Sequence, residues 1–250
     1  MSNFDFLKQK FPVLANLGGL AEKYLYTDPN SCLIKLGMIG ETVVNLIFEY
    51  DNIKKPTEDK AVNRINILIR EGYIDEQLKN ILHALRKARN KAVHENYEKP
   101  CGLLLEFAYV LSEWFMQTYG DYRYEHRPFI LPKKEDIYYT NIEENELQQL
   151  TQSALQTASK AKIIKRDKRL NLIKSATDRL KLTEEQTRYI IDAQLREAGW
   201  QVDTRNIRYS KGSRPQKIYQ STSITAQRTL KNGPALSQTN PLVFNEIKRI

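Results

Sequence analysis

The chain has little of what metal and covalent chemistry require: 250 residues hold only two cysteines and three histidines. Cys32 and Cys101 stand far apart with no Cys-x-x-Cys spacing, which excludes a disulfide scaffold and a thiolate zinc site and leaves two ordinary buried thiols. His83, His94 and His126 are too scattered to form a zinc constellation, so no metal ligands are expected. No Gly-x-x-x-x-Gly-Lys-Ser/Thr loop occurs, which removes a phosphate-cradling nucleotide site of that type. Long apolar runs are also missing. The stretch 103–111 is interrupted by Glu106 and falls short of the roughly 18 apolar residues of a membrane span, so no membrane partner is expected. Ser2, Asn3 and Asp5 give neither the basic start nor the apolar core of a secretory signal, and an intracellular, cytoplasmic protein is expected.

What is present is charge, unevenly spread. Residues 1–130 hold 17 basic and 17 acidic side chains, residues 131–200 hold 13 and 11, and residues 201–250 hold 9 and 2. Most of the net charge of +9 therefore lies in the last fifth of the chain. There Arg205, Arg208, Lys211, Arg214 and Lys217 are spaced to meet the phosphates of a nucleic acid by counterion release. The alternative is a solvated, poorly ordered tail, which the Ser, Thr, Gln and Asn of residues 216–238 favour.

The apolar residues predict a mainly α protein. Asp28 as a cap and Pro29 at the first helical position open a helix ending near Asn52, with Leu33, Leu36, Val43, Val44 and Ile47 at spacings of three and four. A second helix runs over about 59–71 before Gly72 as a left-handed cap, and a third starts at Asp75 with Leu78, Ile81, Leu82 and Leu85 on one face. A fourth follows Pro100 and stops at Gly120. Four helices with short connections predict an up-and-down bundle over 1–127. Residues 141–182 contain no Gly or Pro and predict one long helix or a helical hairpin, and nine basic residues over 160–181 give it a solvated, positive face. Thr183 and Gln186 form a capping-box pattern that starts a new helix, which stops at Gly199. Residues 200–203 predict a first strand, the opening of an α/β unit.

One local string has a mechanism attached. Arg89-Asn90-Lys91-Ala92-Val93-His94 resembles the Arg-polar-x-x-x-His motif of HEPN domains, many of which cleave RNA, with Arg89 stabilising phosphate charge and His94 moving a proton. On a straight helix, residues five apart lie about 140° apart, so the two share a face only through a helix break or across a dimer. The competing reading pairs Arg89 with Glu41 and uses His94 as a cap or packing residue.

A wider resemblance spans about 210 residues. Residues 1–127, with Phe4-Asp5-Phe6-Leu7, the segment 24–29 and the helix over 104–119 carrying Trp114, resemble the HEPN-like helical domain that opens many type I restriction enzyme R subunits. Thr183-Glu184-Glu185-Gln186-Thr187-Arg188, Ile191-Asp192, Leu195 and Ala198-Gly199-Trp200 look like the start of that subunit's nuclease domain. The resemblance implies four parts: the bundle 1–127, a helical linker 128–182, an incomplete PD-(D/E)xK-like α/β start 183–215, and an irregular basic tail 216–250. It implies restriction of foreign DNA, with DNA and the modification and specificity subunits as partners and a homodimer through the bundle as a further association. Mg²⁺ and ATP are expected only in the complete subunit, with none held by this chain. The Glu184 position supports metal binding in that family. The Asp and Glu-x-Lys strands are not recognisable: Glu246-Ile247-Lys248 has the spelling but no Asp-bearing strand before it, and the motor is absent. Family-like sequence stops near Lys217. The expected role is thus a catalytically silent, truncated part of an endonuclease. A stand-alone ribonuclease using Arg89 and His94, or a module that only binds nucleic acid or protein, are its rivals.

Overall fold

A computed structural model describes residues 1–95, 101–136, 142–202 and 216–217. Among them are eight α-helices and no strand, so the chain is mainly α. It divides into two compact units, Met1–Gln194 and Leu195–Ile250.

The first unit opens on a short 3-10 turn, Asn3–Leu7, whose Phe4 and Leu7 are fully buried. Helix α1, Pro12–Tyr24, follows and was not legible as an element. Its residues 13–15 and 17–22 are all buried, so its sequence carries apolar residues on every side and no stripe at helical spacing marks it. Glu22 is the exception in composition. Its carboxylate accepts from the backbone and side-chain N–H groups of Asn3 at 3.0 and 2.7 Å, and burial raises its pKa.

Helix α2, Pro29–Tyr50, starts as expected, with Asp28 accepting from the Ser31 N–H at 3.1 Å. It also corrects the reading of apolar runs: the helix is 22 residues long, and an 18-residue window of it, with a mean hydropathy of 1.5, passes the length and composition test for a membrane span. Two thirds of that window is buried inside the bundle, however, which makes it a core helix here. Helix α3, Ala61–Arg70, ends at Gly72, whose φ of +77° and donation to Ile69 O give the left-handed cap that a side chain would strain. Helix α4, Glu76–His94, is capped by Asp75, which accepts from the Leu78 N–H at 2.9 Å. Helix α5, Gly102–Phe115, runs into a π-helical turn, Met116–Gly120. The core is built around Phe4, Phe48, Phe107, Trp114 and Phe115, each under 2% exposed. Cys32 and Cys101 are buried, free and adjacent, with their sulfurs 2.9 Å apart.

Beyond this point the stretch forms two helices rather than one, α6, Glu144–Lys160, and α7, Arg166–Arg179. Helix α6 lies against α1 and α2, and α7 against the π-helical turn. Leu147, Ala158, Ile173 and Ala176 are buried there, so both helices contribute to the same compact unit. Helix α8, Glu184–Glu197, opens on the expected capping box: the Thr183 N–H donates to Gln186 Oε1 at 2.8 Å and the Gln186 N–H to Thr183 Oγ1 at 3.2 Å.

The second unit begins inside α8. Gly199 takes φ +79°, and Trp200 and Lys217 form an isolated antiparallel bridge. The first strand expected over 200–203 is therefore reduced, among the described residues, to one bridged position. A single pair of backbone bonds does not build a ladder. Asp203 lies outside the described residues, as do Glu246, Ile247 and Lys248.

Candidate functional site

Helix α4 brings its chemistry to two places. Leu78, Ile81, Leu82 and Leu85 enter the core, which turns Arg86, Arg89 and Asn90 toward α2 and α3. Arg89 crosses α2 where Gly37 leaves room: a Cβ on Gly37 would lie 2.4 Å from Arg89 Cβ. Its guanidinium donates to Glu41, the pairing the sequence offered as the alternative to catalysis. Both side chains are more than a third exposed, so this ion pair contributes only about 0–1 kcal/mol.

His94 is elsewhere. It is the last residue of α4, exposed, and the helix runs unbroken from Arg89 to it. The closing carbonyls of α4 are taken by Asn30, whose side-chain amide donates to Ala92 O and Glu95 O at 3.1 Å each. The fold of one chain thus leaves Arg89 and His94 at the separation that helical geometry gives them.

Between α2, α3 and α4 lies a cavity of about 440 Å³. Its lining includes Lys60, Arg64, Arg86 and Arg89 against Glu41 and Asp59, with Val44, Ile65 and Leu82 as apolar wall. Arg64 is fixed on three sides. Its Nε and Nη2 donate to the two Asp59 oxygens at 2.5 Å each, and its Nη1 donates to Asn45. That pairing lowers the Asp59 pKa and raises that of Arg64. Arg86 differs: its Nε is buried and has no hydrogen-bond partner, and among the described residues it makes no ion pair. Its charge is felt nearby. Burial first, then Arg86, pushes His83 down to about 4, and burial followed by Arg86 also lowers Lys87. Arg64 and Arg86 were not singled out in the sequence, although Arg86, Arg89 and Asn90 at i, i+3 and i+4 share one helical face.

Two buried polar clusters fix the bundle. Asp51, Arg169 and Tyr119 form one, with Arg169 only 3% exposed although it stands in the basic run expected to be solvated. Glu113 is the hub of the other. It accepts from Tyr109 OH at 2.9 Å and from the Arg127 N–H at 3.0 Å, and lies 2.6 Å from His126 Nδ1. Burial and the Glu113 charge raise the Tyr109 pKa and push Tyr124 up to about 12.

Glu184 is the first residue of α8, 86% exposed, and pairs with Arg188 one turn on at 3.2 Å. Among the described residues no group of three or more His, Cys, Asp and Glu is placed to hold a metal ion. Of the basic tail only Lys217 is described: it is exposed, with Nζ 5.9 Å from the centre of the Trp200 ring. Arg205, Arg208, Lys211 and Arg214 lie outside the described residues.

Comparison with known proteins adds two findings. The family described as "Domain of unknown function (DUF4145)" matches residues 20–166. The type I restriction enzyme EcoKI endonuclease subunit of Escherichia coli (strain K12) is 28% identical over 272 aligned positions, which cover 86% of this chain and 23% of that protein. The chain thus spans less than a quarter of that relative's length. No solved structure matches the chain.

Proposed function

We propose, for a chain that belongs to the DUF4145 family of domains of unknown function, a non-catalytic place within a type I restriction endonuclease subunit. The observation that carries this reading is the likeness to the Escherichia coli subunit over 86% of the chain. The pairings of the candidate residues support it. Arg89 pairs with Glu41 and Glu184 with Arg188, so each has a local partner within the fold. On this reading the complete protein acts in the cytoplasm in the restriction of foreign DNA, with DNA and the modification and specificity subunits as partners. Glu184 is exposed and, among the described residues, belongs to no group of three or more His, Cys, Asp and Glu placed to hold a metal ion. On this reading the nuclease metal and the motor's ATP are held by other parts of such a protein.

Plasmid nicking by the purified chain, with Mg²⁺ or Mn²⁺ and a chelator control, tests the non-catalytic role; intact plasmid is expected. Restriction of unmodified phage, in a host carrying the gene beside modification and specificity genes, tests the rest. In-frame removal of codons 1–194 should abolish it. Chelator-sensitive cleavage by the chain alone, or full restriction after the deletion, overturns the reading.

A further inference from the structure

We propose that Cys32 and Cys101 are a reversible oxidation site, which a small peroxide converts to a disulfide, with Cys101 as the attacking sulfur and Cys32 as the one that closes the bond. This site is independent of the restriction reading, because it rests only on the placement of two side chains.

The argument starts from that placement. The chain has no other cysteine, and the fold brings these two together across 69 positions of sequence, with their sulfurs 2.9 Å apart and both thiols free. Cys32 lies near the start of α2 and Cys101 is the N-cap residue of α5, so a rigid element positions each. A disulfide requires a further approach of less than about 1 Å.

The surroundings of the two sulfurs differ. Cys32 is fully buried, and its hydrogen bond with Cys101, followed by burial and the nearby charges of Asp28 and Glu22, holds its thiol protonated. Cys101 keeps 7% of its surface open to solvent, and the hydrogen bond from Cys32, with one from its own backbone N–H, lowers its pKa. Cys101 is therefore the sulfur that ionises and that a small molecule reaches.

The chemistry closes in two steps. The Cys101 thiolate attacks a peroxide oxygen: the S–O bond forms, the O–O bond breaks, and the leaving hydroxide takes up the proton Cys101 released, giving a sulfenic acid and water. The Cys32 sulfur then attacks the Cys101 sulfur; the S–S bond forms, the S–O bond breaks, and hydroxide leaves with the Cys32 proton as a second water. The thiols lose two electrons and the peroxide gains them. Because Cys32 already touches Cys101, this second step outruns further oxidation of the sulfenic acid. The bond joins α2 to α5 and closes a loop that carries α3 and α4. Asn30, two residues before Cys32, already holds the last carbonyls of α4, so the cross-link fixes the end of the bundle where α2, α4 and α5 meet. Closing so long a loop restricts the unfolded chain more than the folded one.

Peptide mapping of the full chain tests this, after millimolar hydrogen peroxide, alkylation in denaturant and digestion without reductant. A linked Cys32–Cys101 peptide is expected from monomeric chain, and it should disappear after dithiothreitol. The oxidised chain should melt about 5 °C or more above the reduced one. Cys32→Ser should leave Cys101 as a sulfenic acid that dimedone traps, while in Cys101→Ser the remaining Cys32 should react at least tenfold more slowly. Should either variant fail to fold, the mapping and the melting shift of the parent chain decide. Two thiols still open to alkylation after peroxide, cysteines joined only between chains, sulfinic acid in place of the disulfide, or a linked chain that melts no higher than the reduced one overturns the proposal.

Discussion

Asp51 and Arg169, 118 residues apart in sequence, form an ion pair at 3.0 Å in which the two side chains are 3% and 4% exposed. Tyr119 OH donates to the second Asp51 oxygen at 2.7 Å, Arg169 Nη1 donates to Thr118 O at 2.7 Å, and the guanidinium lies 4.1 Å from the centre of the Tyr119 ring. Asp51 follows the C-terminus of α2, where a carboxylate alone is opposed by the helix dipole, so Arg169 offsets both charges at once. The same contacts tie α7 to the π-helical turn.

Removing one partner of such a pair strands the other, at a cost of about 3–5 kcal/mol. Arg169→Ala should therefore lower the unfolding free energy by that amount in urea titrations followed by circular dichroism. The double variant Asp51→Asn, Arg169→Met should recover part of the loss, because no charge is then buried alone. A loss below about 1 kcal/mol in Arg169→Ala would mean that the pair behaves as a surface bridge.

His83 sets a pH dependence. Its imidazole is pushed down to about 4 by burial and by Arg86, below the usual value near 6.5, and its Nδ1 is buried without a partner. Between those values the unfolded chain binds a proton that the folded chain does not. The contribution is thus fully present above about pH 6.5 and is lost progressively as pH falls toward 4. His83→Gln should flatten the stability profile in that window, measured as the difference from the parent chain so that the opposite trend of Glu22, whose pKa burial raises, cancels. Parallel curves for the two proteins across the window would contradict this.

Arg89 and His94 are expected to leave RNA intact. Metal-free cleavage to a 2′,3′-cyclic phosphate requires both groups on one phosphodiester, and the unbroken α4 separates them. Incubation of transfer RNA with the chain in chelator should yield no fragments, and Arg89→Ala should change stability by no more than about 1 kcal/mol, the worth of its half-exposed pair with Glu41. Fragments carrying a cyclic phosphate, lost in both Arg89→Ala and His94→Ala, would restore the ribonuclease reading through a second copy of the chain.

The sequence determined what depends on a few neighbouring residues. Asp28 and Asp75 cap α2 and α4, Gly72 ends α3, and Thr183 with Gln186 opens α8, because each satisfies backbone groups within about four residues of itself. The apolar face of α4 and the pairing of Arg89 with Glu41 were legible for a similar reason, since helical spacing alone puts Arg89 on the stripe of Leu78, Leu82 and Leu85 that packs against α2. Tertiary structure decided the rest. Helix α1 buries nine of its 13 residues, which leaves only a narrow polar strip to mark its period, while α2 carries the hydropathy of a membrane span and is a core helix only because its neighbours cover it. Arg169 looks like any other member of the basic run 160–181 until α7 places it beside Asp51. The cavity is the same kind of fact. Arg64, Arg86 and Glu41 lie on three different helices, and whether an arginine there finds a carboxylate or is left without one follows from how those helices approach, which Gly37 permits and no local pattern states.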